Sequence, residues 1–309
     1  MQVTVIGTGV IGTGWVLRFL AEGHGVSAWD PAPGFGDQLV QNVTRLWTIM
    51  EKRGLAGGAS AARLRIAGSL GDACMSADLV QESAPENLAL KQALHIEIDQ
   101  HAPAAALVAT SSSGLLPTEV FADCHHAARC LVAHPFNPVY ILPLCELVGG
   151  DKTSEETVKR AREVYASVGM KPLVVRREIE GYLSDRLQEA LWREVLHLVN
   201  DDIATTGELD DAITYGPGLR WALMGTCLTF HMAGGEGGMR HMLEQFGPAL
   251  KLPWTHLEAP ELTGELIEKM VAGTTAQAAD RTMPELEVTR DEFLLELLAL
   301  VEKYRARLS

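Results

Sequence analysis

The chain has 309 residues, of which 47% are hydrophobic and 21% are charged, and its formal net charge is −14. This composition excludes a disordered chain, and the length is sufficient for two domains with separate cores. The negative charge repels nucleic-acid phosphates and anionic membranes, so we expect neither as a partner. No apolar run in the sequence approaches the ~18 residues that a membrane-spanning helix requires.

Cysteine usage and the N-terminus predict a cytoplasmic protein. The five cysteines are odd in number and form no CxxC pair, which is typical of reduced thiols rather than of a disulfide framework. The chain runs directly into an apolar strand without the basic leader of a secretory signal. Metal-ligating side chains cluster at Cys124, His125, His126 and Cys130, but no second ligand cluster accompanies them. We therefore predict a surface turn there and no metal site.

The first residues carry a dinucleotide-binding motif. A β-branched run, Val3–Ile6, leads into a glycine-rich turn, and Trp15–Ala21 continues with helical spacing. In this context the first glycine permits a tight turn, the second admits a pyrophosphate and the third allows close helix packing. The N-terminus of the helix faces the phosphates. The predicted cofactor-binding residues of the turn are Gly7, Thr8, Gly9, Val10, Ile11 and Gly12.

An acidic residue at the end of the second predicted strand selects the cofactor. The strand Gly25–Trp29 ends at Asp30, where a carboxylate hydrogen-bonds the 2′-hydroxyl of a ribose. No arginine or lysine neighbours Asp30, and its charge would repel a 2′-phosphate. We therefore predict NAD rather than NADP. The alternative is a glycine-rich turn in another kind of α/β protein.

Strand and helix patterns alternate up to residue 176. Further strands are predicted at Leu64–Ala67, Leu79–Gln81, Leu107–Ala109, Leu131–Ala133 and Pro172–Val175, and helices at Gln38–Arg53, Leu88–Gln100 and from Thr153 to Gly169. We expect Thr153 and Glu156 to form a capping box at the start of the last helix. This alternation predicts an α/β fold with a Rossmann-type, doubly wound parallel sheet.

After Arg176 the pattern becomes helical. Leucines recur at helical spacing from Leu183 to Leu198, and the apolar face is wider than one neighbouring helix would cover. This predicts an NAD-binding domain over residues 1–178 and an all-helical C-terminal domain over residues 179–309 for substrate binding and dimerisation. We expect a homodimer; the alternative is a helix buried within one subunit. Two capping boxes are predicted in this half, Thr205 with Glu208 and Thr289 with Glu292.

The segment Ala133–Val148 holds an imidazole and a carboxylate at a fixed separation. Three prolines lie between His134 and Glu146, and they exclude a continuous helix and favour a stiff, extended connection. A carboxylate that fixes the tautomer of an imidazole and stabilises its protonated form is the arrangement of a general-base pair. The alternative is that His134 caps a turn and that Glu146 is solvated.

Together these motifs resemble the L-3-hydroxyacyl-CoA dehydrogenase superfamily over nearly the whole chain. The resemblance is carried by the glycine turn, Asp30, residues 82–87 (ESAPEN), Lys91, Ser113, residues 134–138 (HPFNP), Glu146 and residues 181–186 (GYLSDR). It implies that His134 is the catalytic base, that Glu146 orients it and that Ser113 hydrogen-bonds the reacting oxygen. It further implies that Glu82 and Lys91 line the nicotinamide ribose, and that the enzyme is a dimer.

Two departures from the superfamily bear on the substrate. Asp185 stands where the family usually has asparagine near the active site. The acyl-CoA enzymes also carry a long, lysine-rich extension that meets the CoA phosphates, whereas residues 51–63 supply only Lys52, Arg53 and Arg63. An anionic CoA therefore has little to hold it in this chain.

Later stretches are similar to a carnitine-oxidising branch of the superfamily, namely residues 216–221 (GPGLRW), 231–240 (HMAGGEGGMR) and 246–250 (FGPAL). We therefore expect NAD-dependent oxidation of the 3-hydroxyl of L-carnitine, or of a similar small 3-hydroxy acid. The alternatives are an L-gulonate 3-dehydrogenase, a short-chain L-3-hydroxyacyl-CoA dehydrogenase and a crystallin-like protein that binds NAD without turnover.

The chemistry of carnitine sets what its binding site requires. A trimethylammonium group donates no hydrogen bond, so aromatic faces and negative charge must hold it. The predicted substrate-binding residues are Asp185, Asn137, Tyr140 and Trp221. The carboxylate of the substrate needs a cation, and the sequence does not choose among Arg186, Arg193 and Arg220.

Overall fold

The computed structural model describes residues 1–256, 258, 260–261, 263–279 and 281–305. The chain divides into two compact units, residues 1–186 and 187–309. The strands found among the described residues all lie in the first unit: β1 (Gln2–Ile6), β2 (Gly25–Trp29), β3 (Leu64–Ile66), β4 (Leu79–Glu82), β5 (Leu107–Thr110), β6 (Cys130–Pro135), β7 (Leu144–Val148) and β8 (Lys171–Val175).

The helices of the first unit follow its strands. They are α1 (Val10–Ala21), α2 (Phe35–Arg53), α3 (Leu70–Cys74), α4 (Leu88–His101), α5 (Pro117–Val120) and α6 (Glu155–Ser167), with 3-10 turns at Ala61–Arg63 and Ala127–Arg129. Helix α7 (Ser184–Asn200) begins in the first unit and continues into the second.

The eight strands form one sheet in the order β3-β2-β1-β4-β5-β6-β7-β8. The strand order reverses between β1 and β4, because β1 pairs in parallel with β2 on one side and with β4 on the other. In such a sheet the crevice at the point of reversal, beyond the carboxyl ends of the strands, is where ligands bind. The predicted Rossmann-type sheet followed by helices is confirmed.

One strand runs against the others and was not predicted. Strand β7 pairs antiparallel with β6, and in its register His134 lies opposite Glu146. The segment between them is therefore a reversal of the chain rather than the stiff, extended connection expected from its prolines. Because opposed residues of an antiparallel pair are close neighbours, this register brings the two side chains together.

A buried arginine ties this reversal to the first helix. Arg18, fully buried on α1, donates hydrogen bonds to the carbonyl oxygens of Val139 (2.8 Å), Leu142 (3.1 Å), Val168 (3.2 Å) and Gly169 (3.2 Å). Burial lowers the pKa of the Arg18 guanidinium to about 9, which leaves it charged at neutral pH. It thereby satisfies carbonyl groups that no helix or strand pairs.

The second unit is helical, as predicted. Its helices after α7 are α8 (Thr206–Thr214), α9 (Pro217–Ala233), α10 (Gly238–Phe246), α11 (Gly264–Ala278) and α12 (Met283–Arg305), with 3-10 turns at Gly235–Gly237 and Gly247–Lys251. Helix α9 kinks at Gly225, whose φ is +66°. No helix within the described ranges is long and apolar enough to cross a membrane.

The predicted capping boxes at the helix starts have different outcomes. Thr205 and Glu208 form the expected capping box at the start of α8. Helix α6 is capped by Ser154 instead of Thr153, because the Thr153 hydroxyl is engaged with the carbonyl oxygen of Cys130 at 2.7 Å. The capping box predicted at Thr289 is wrong.

Thr289 lies inside α12, and its hydroxyl donates to the Glu285 carbonyl oxygen at 3.0 Å. The start of α12 is instead held by Thr282, whose backbone N–H and hydroxyl both donate to the Glu285 carboxylate, at 2.7 and 2.8 Å. The same threonine-to-glutamate spacing occurs seven residues earlier than predicted, and the longer helix wins because it adds backbone hydrogen bonds.

Candidate active site

The glycine turn between β1 and α1 is shaped by close backbone approaches. Gly7 has a φ of +84°, and a Cβ there would lie 2.7 Å from the Ser83 carbonyl group. A Cβ on Gly12 would lie 1.8 Å from the Gly7 carbonyl oxygen. Neither position can therefore carry a side chain in this fold.

The turn fits the phosphates of a dinucleotide. A Cβ built on Gly9 meets nothing within 4 Å, so the space above this glycine is open. No side chain caps the N-terminus of α1, and Val10 at its first position is 69% exposed. Uncapped N–H groups and the positive end of the helix dipole favour an anion at this place.

Asp30 lies at the end of β2 beside this turn, where the sequence predicted a ribose ligand. Its Oδ2 accepts hydrogen bonds from the Thr8 N–H (2.8 Å) and hydroxyl (3.3 Å), and its Oδ1 accepts one from the Ala32 N–H (2.9 Å). The carboxylate thus holds the glycine turn in place. Ribose binding by its remaining lone pairs stays a prediction.

Glu82 and Lys91 are buried against each other at the end of β4. Lys91 Nζ lies 2.8 Å from Glu82 Oε1, and His95 Nε2 lies 3.0 Å from Glu82 Oε2. Burial alone would raise the pKa of Glu82, but His95 and Lys91 outweigh it and hold the pKa at about 2. Both predicted cofactor residues are thus in the interior, and their contact with the nicotinamide ribose stays a prediction.

Glu86, which is not among the predicted site residues, organises the loop after β5. Its Oε1 accepts hydrogen bonds from the Ser112 hydroxyl, the Ser113 N–H (2.9 Å) and the Gly114 N–H (3.1 Å). The exposed side chain of Ser113, the predicted contact to the reacting oxygen, is therefore carried on a backbone fixed by a carboxylate. The sequence feature that could have identified Glu86 is its position just after strand β4, at the ligand-binding end of the sheet.

The imidazole and carboxylate form a buried pair. His134 Nδ1 lies 3.0 Å from Glu146 Oε2, with His134 4% exposed and Glu146 fully buried. A carboxylate only accepts hydrogen bonds, so Nδ1 carries the hydrogen and Nε2 of the neutral ring has a free lone pair. The alternative of a solvated Glu146 is therefore excluded.

The second oxygen of Glu146 is fixed as firmly as the first. Glu146 Oε1 accepts hydrogen bonds from the backbone N–H groups of Leu183 (3.1 Å) and Ser184 (2.9 Å) and from the Ser184 hydroxyl (3.1 Å). Burial would raise the pKa of Glu146, but His134 and these donors lower it below the ordinary value. The group beside the imidazole is therefore an anion at neutral pH.

Two aromatic rings lie beside the imidazole. The ring centroids of Phe136 and Tyr182 lie 4.6 and 5.6 Å from that of His134. The buried Tyr182 has a φ of +45° and donates its hydroxyl hydrogen to the Leu115 carbonyl oxygen at 2.7 Å. It thereby connects the His134 ring to the loop that carries Ser113.

The predicted substrate residues lie in different surroundings. Asp185 Oδ2 is 3.6 Å from His134 Nε2, and its side chain is 27% exposed. Asn137 is exposed in the segment after His134, whereas Tyr140 is only 5% exposed. Trp221 is partly buried on α9 of the helical unit. The Asp185 carboxylate is within contact distance of the imidazole.

The cations of the short segment near residue 51 have other partners. Arg53 Nη1 lies 3.1 Å from Glu22 Oε1, and Arg63 Nη1 donates to the Gly58 carbonyl oxygen at 3.2 Å. That a CoA phosphate finds little to hold it in this segment stays a prediction. No group of three or more potential metal ligands occurs among the residues whose positions are described.

These features define an NAD-binding oxidoreductase fold with a histidine–carboxylate pair, and the family comparison agrees. Residues 2–179 match the family model of the 3-hydroxyacyl-CoA dehydrogenase NAD binding domain, and residues 181–279 match that of its C-terminal domain. The chain therefore belongs to the 3-hydroxyacyl-CoA dehydrogenase family of NAD-dependent oxidoreductases. The predictions of superfamily, enzyme class and NAD are confirmed.

Individual relatives narrow the comparison further. An L-carnitine dehydrogenase of a Pseudomonas species is 54% identical over 302 residues, which cover 98% of this chain and 94% of the relative. Another, from Oceanobacillus iheyensis, is 55% identical over 303 residues, covering 98% and 99%. A solved 5-formyl-3-hydroxy-2-methylpyridine 4-carboxylic acid 5-dehydrogenase shares the fold, with a TM-score of 0.81 and 24% identity over 97% of this chain and 98% of that one.

Proposed function

We propose that this protein oxidises the 3-hydroxyl group of L-carnitine to the ketone of 3-dehydrocarnitine, with NAD as the hydride acceptor. The L-carnitine dehydrogenases to which the chain is similar are covered over nearly their whole length. The single observation that carries the chemistry is the 3.0 Å contact between His134 Nδ1 and Glu146 Oε2. It leaves Nε2 of the imidazole available as a base.

His134 is the general base of the proposed reaction. Its Nε2 takes the hydroxyl proton of the substrate as the carbon–hydrogen bond at C3 breaks. NAD, when bound, supplies the acceptor for the hydride. Glu146 keeps the hydrogen on Nδ1 before the transfer and stabilises the imidazolium after it, because the carboxylate is buried beside the ring.

Ser113 is proposed to donate a hydrogen bond to the reacting oxygen. Strands β5 and β6 are parallel neighbours, with Thr110 opposite Val132. Ser113 follows the last residue of β5 and His134 is the last residue but one of β6, so both lie at the carboxyl ends of adjacent strands. The hydrogen bonds from the Ser113 and Gly114 amides to Glu86 fix the loop on which the hydroxyl is carried.

The cofactor is proposed to bind along the first unit. Residues 1–178 are taken as the NAD-binding domain and residues 179–309 as the substrate and dimerisation domain. The pyrophosphate would lie on the glycine turn and the adenosine ribose beside Asp30. On the nicotinamide side we retain Glu82 and Lys91, which border the loop of residues 83–86.

The trimethylammonium and carboxylate of the substrate need separate contacts. We propose Asp185, Asn137, Tyr140 and Trp221 for the substrate, with aromatic contacts to the cation contributing about 0.5–2 kcal/mol each. Asp185 has the most direct support, because its carboxylate lies 3.6 Å from the nitrogen that meets the hydroxyl group.

A homodimer is proposed because the helical unit exposes much apolar surface. Among its described residues, the buried apolar side chains are Leu196, Val199 and Leu266. Many large apolar residues are exposed, including Leu187 (75%), Leu219 (69%) and Phe293 (62%). Surface of this kind is buried in obligate dimers. The cytoplasmic location stays a prediction that rests on the cysteine pattern.

The proposal is tested by turnover with purified protein. L-carnitine and NAD should give NADH absorbance at 340 nm, and His134→Ala should abolish it. His125→Ala, a change at an exposed histidine, is the matched control and should retain wild-type kcat. Turnover of 3-hydroxybutyryl-CoA or L-gulonate without turnover of L-carnitine would refute the proposed substrate. NAD binding with no turnover of any 3-hydroxy acid would refute the enzymatic role.

A further inference from the structure

The catalytic imidazole has a carboxylate at each end. Glu146 occupies the Nδ1 side, and Asp185 Oδ2 lies 3.6 Å from Nε2. Only the Nδ1 pair is at normal hydrogen-bond distance, since 3.6 Å exceeds the range of an N–H···O bond. The side chains also differ in environment: Glu146 is fully buried, whereas Asp185 is 27% exposed. The second carboxylate therefore borders the space that the substrate hydroxyl must enter.

Asp185 lies near the positive end of a helix dipole. It lies in the first turn of α7, where the helix dipole stabilises a negative charge. The neighbouring Arg186 donates from Nη1 to the Glu180 carbonyl oxygen at 3.1 Å. A carboxylate is thus presented on the side of the imidazole that accepts the proton.

We propose that Asp185 is a specificity-determining residue that selects substrates with a positive charge two bonds from the carbinol carbon. This inference rests on the proposed function, because it places the substrate hydroxyl on His134 Nε2. In a 4-ammonio-3-hydroxy acid the nitrogen and the hydroxyl oxygen are three bonds apart, hence separated by about 3–4 Å. With that oxygen on Nε2 and the C3–C4 bond directed toward Asp185, the cation comes within about 4–6 Å of the carboxylate.

Such a cation is recognised through space. A quaternary ammonium has no hydrogen to donate, so a carboxylate acts on it only by its charge. At about 5 Å and the effective dielectric of a partly exposed site, that interaction corresponds to a preference of roughly 10–100-fold after screening by solvent. A neutral group of the same shape would gain nothing from Asp185.

The test pairs L-carnitine with its uncharged carbon isostere, (CH3)3C–CH2–CH(OH)–CH2–COO⁻, of matching configuration. The ratio of the two kcat/KM values is measured for the wild type and for Asp185→Asn, which keeps the shape and removes the charge. We expect the ratio of carnitine to isostere to fall about 10–100-fold in the variant, with the isostere nearly unaffected. An unchanged ratio would overturn the proposal.

This ratio separates charge selection from other roles of Asp185. If the carboxylate only relays the proton from His134 or supports α7, both substrates lose kcat to the same extent, the ratio stays constant and the proposal fails. Asp201→Asn, at an exposed acid just beyond the end of α7, is the matched control and should leave the ratio at its wild-type value.

If Asp185→Asn has no measurable turnover, a binding measurement tests the same proposal. Calorimetry in the presence of NADH compares γ-butyrobetaine, which lacks the hydroxyl, with 5,5-dimethylhexanoate, its neutral isostere. A fall of about tenfold or more in their affinity ratio in Asp185→Asn supports the proposal, and an unchanged ratio overturns it. Failure of the proposed function is distinguishable, because the wild type itself would then not oxidise L-carnitine.

Discussion

Replacing Glu146 by glutamine should impair His134 as a general base while preserving the shape of the side chain at position 146. Three donors surround Glu146 Oε1, namely the Leu183 N–H, the Ser184 N–H and the Ser184 hydroxyl. The amide oxygen of the variant must face them, because an amide NH₂ there would oppose two backbone N–H groups. The NH₂ group is thereby directed at His134 Nδ1, and it moves the ring hydrogen to Nε2, where the substrate proton should go.

The expected loss can be estimated from the geometry. With Nδ1 and Oε2 3.0 Å apart, the charge centres of an imidazolium and a carboxylate are about 4 Å apart. At an effective dielectric constant of about 20 their attraction is about 4 kcal/mol, which the glutamine removes from the protonated state. Since about 1.4 kcal/mol corresponds to a factor of ten, kcat should fall about 10³-fold, and the wrong tautomer acts in the same direction.

The assay is NADH production at saturating L-carnitine and NAD, with the NADH dissociation constant measured by fluorescence to verify folding. Glu208→Gln, at an exposed acid in the α8 capping box, is the control for the same chemical change and should keep wild-type kcat. A Glu146→Gln enzyme that binds NADH normally and retains kcat within tenfold of the wild type would refute the assigned role of the carboxylate.

Three further predictions concern the cofactor site and the fold. Gly9→Ala should fold with an unchanged melting temperature but weaken NADH binding at least tenfold by fluorescence titration, whereas Gly57→Ala, equally open, should change neither. Glu82→Gln should lower the midpoint of urea unfolding at pH 7. The wild-type carboxylate, with its pKa lowered from 4.5 to about 2, contributes roughly 3 kcal/mol to the free energy of unfolding above pH 4.5. The difference in midpoint between the variant and the wild type should therefore narrow as the pH falls toward 2. Arg18→Met should cost about 3 kcal/mol of unfolding free energy in urea titrations, because four buried or partly buried carbonyl groups lose their donor. A wild-type urea midpoint in either Glu82→Gln or Arg18→Met would contradict these assignments.

Local patterns predicted the elements of the first unit well. The strand–turn–helix at the N-terminus, the second strand ending at Asp30 and the helix from Leu88 depend on short-range rules of glycine geometry, strand alternation and capping, so the sequence alone indicates them. The misplaced helix starts have a physical reason. Thr153 and Thr289 have the right spacing for a capping box, but long-range contacts and helix length decide which residue caps the helix.

The candidate site also has parts that the sequence predicted and parts that it did not. Residue types and spacing identified His134, Glu146 and the glycine turn as chemically significant, and the resemblance to the superfamily singled out Asp185. The sequence did not predict β7, because an isolated apolar run among prolines gives no signal for the direction in which it pairs. Glu86 was overlooked for a similar reason: its partners, the amides of Ser113 and Gly114, are 27 and 28 residues away in the chain.

What the sequence by itself determined is the class of molecule: an acidic two-part chain with a dinucleotide turn and the components of a dehydrogenase. Only the tertiary structure decided that Glu146 faces His134 across an antiparallel pair and that Asp185 borders the other ring nitrogen. The physical reason is range. Backbone preferences act over a few residues, whereas the distance between an imidazole and its carboxylates is fixed by strand register and by a helix start about fifty residues further along the chain.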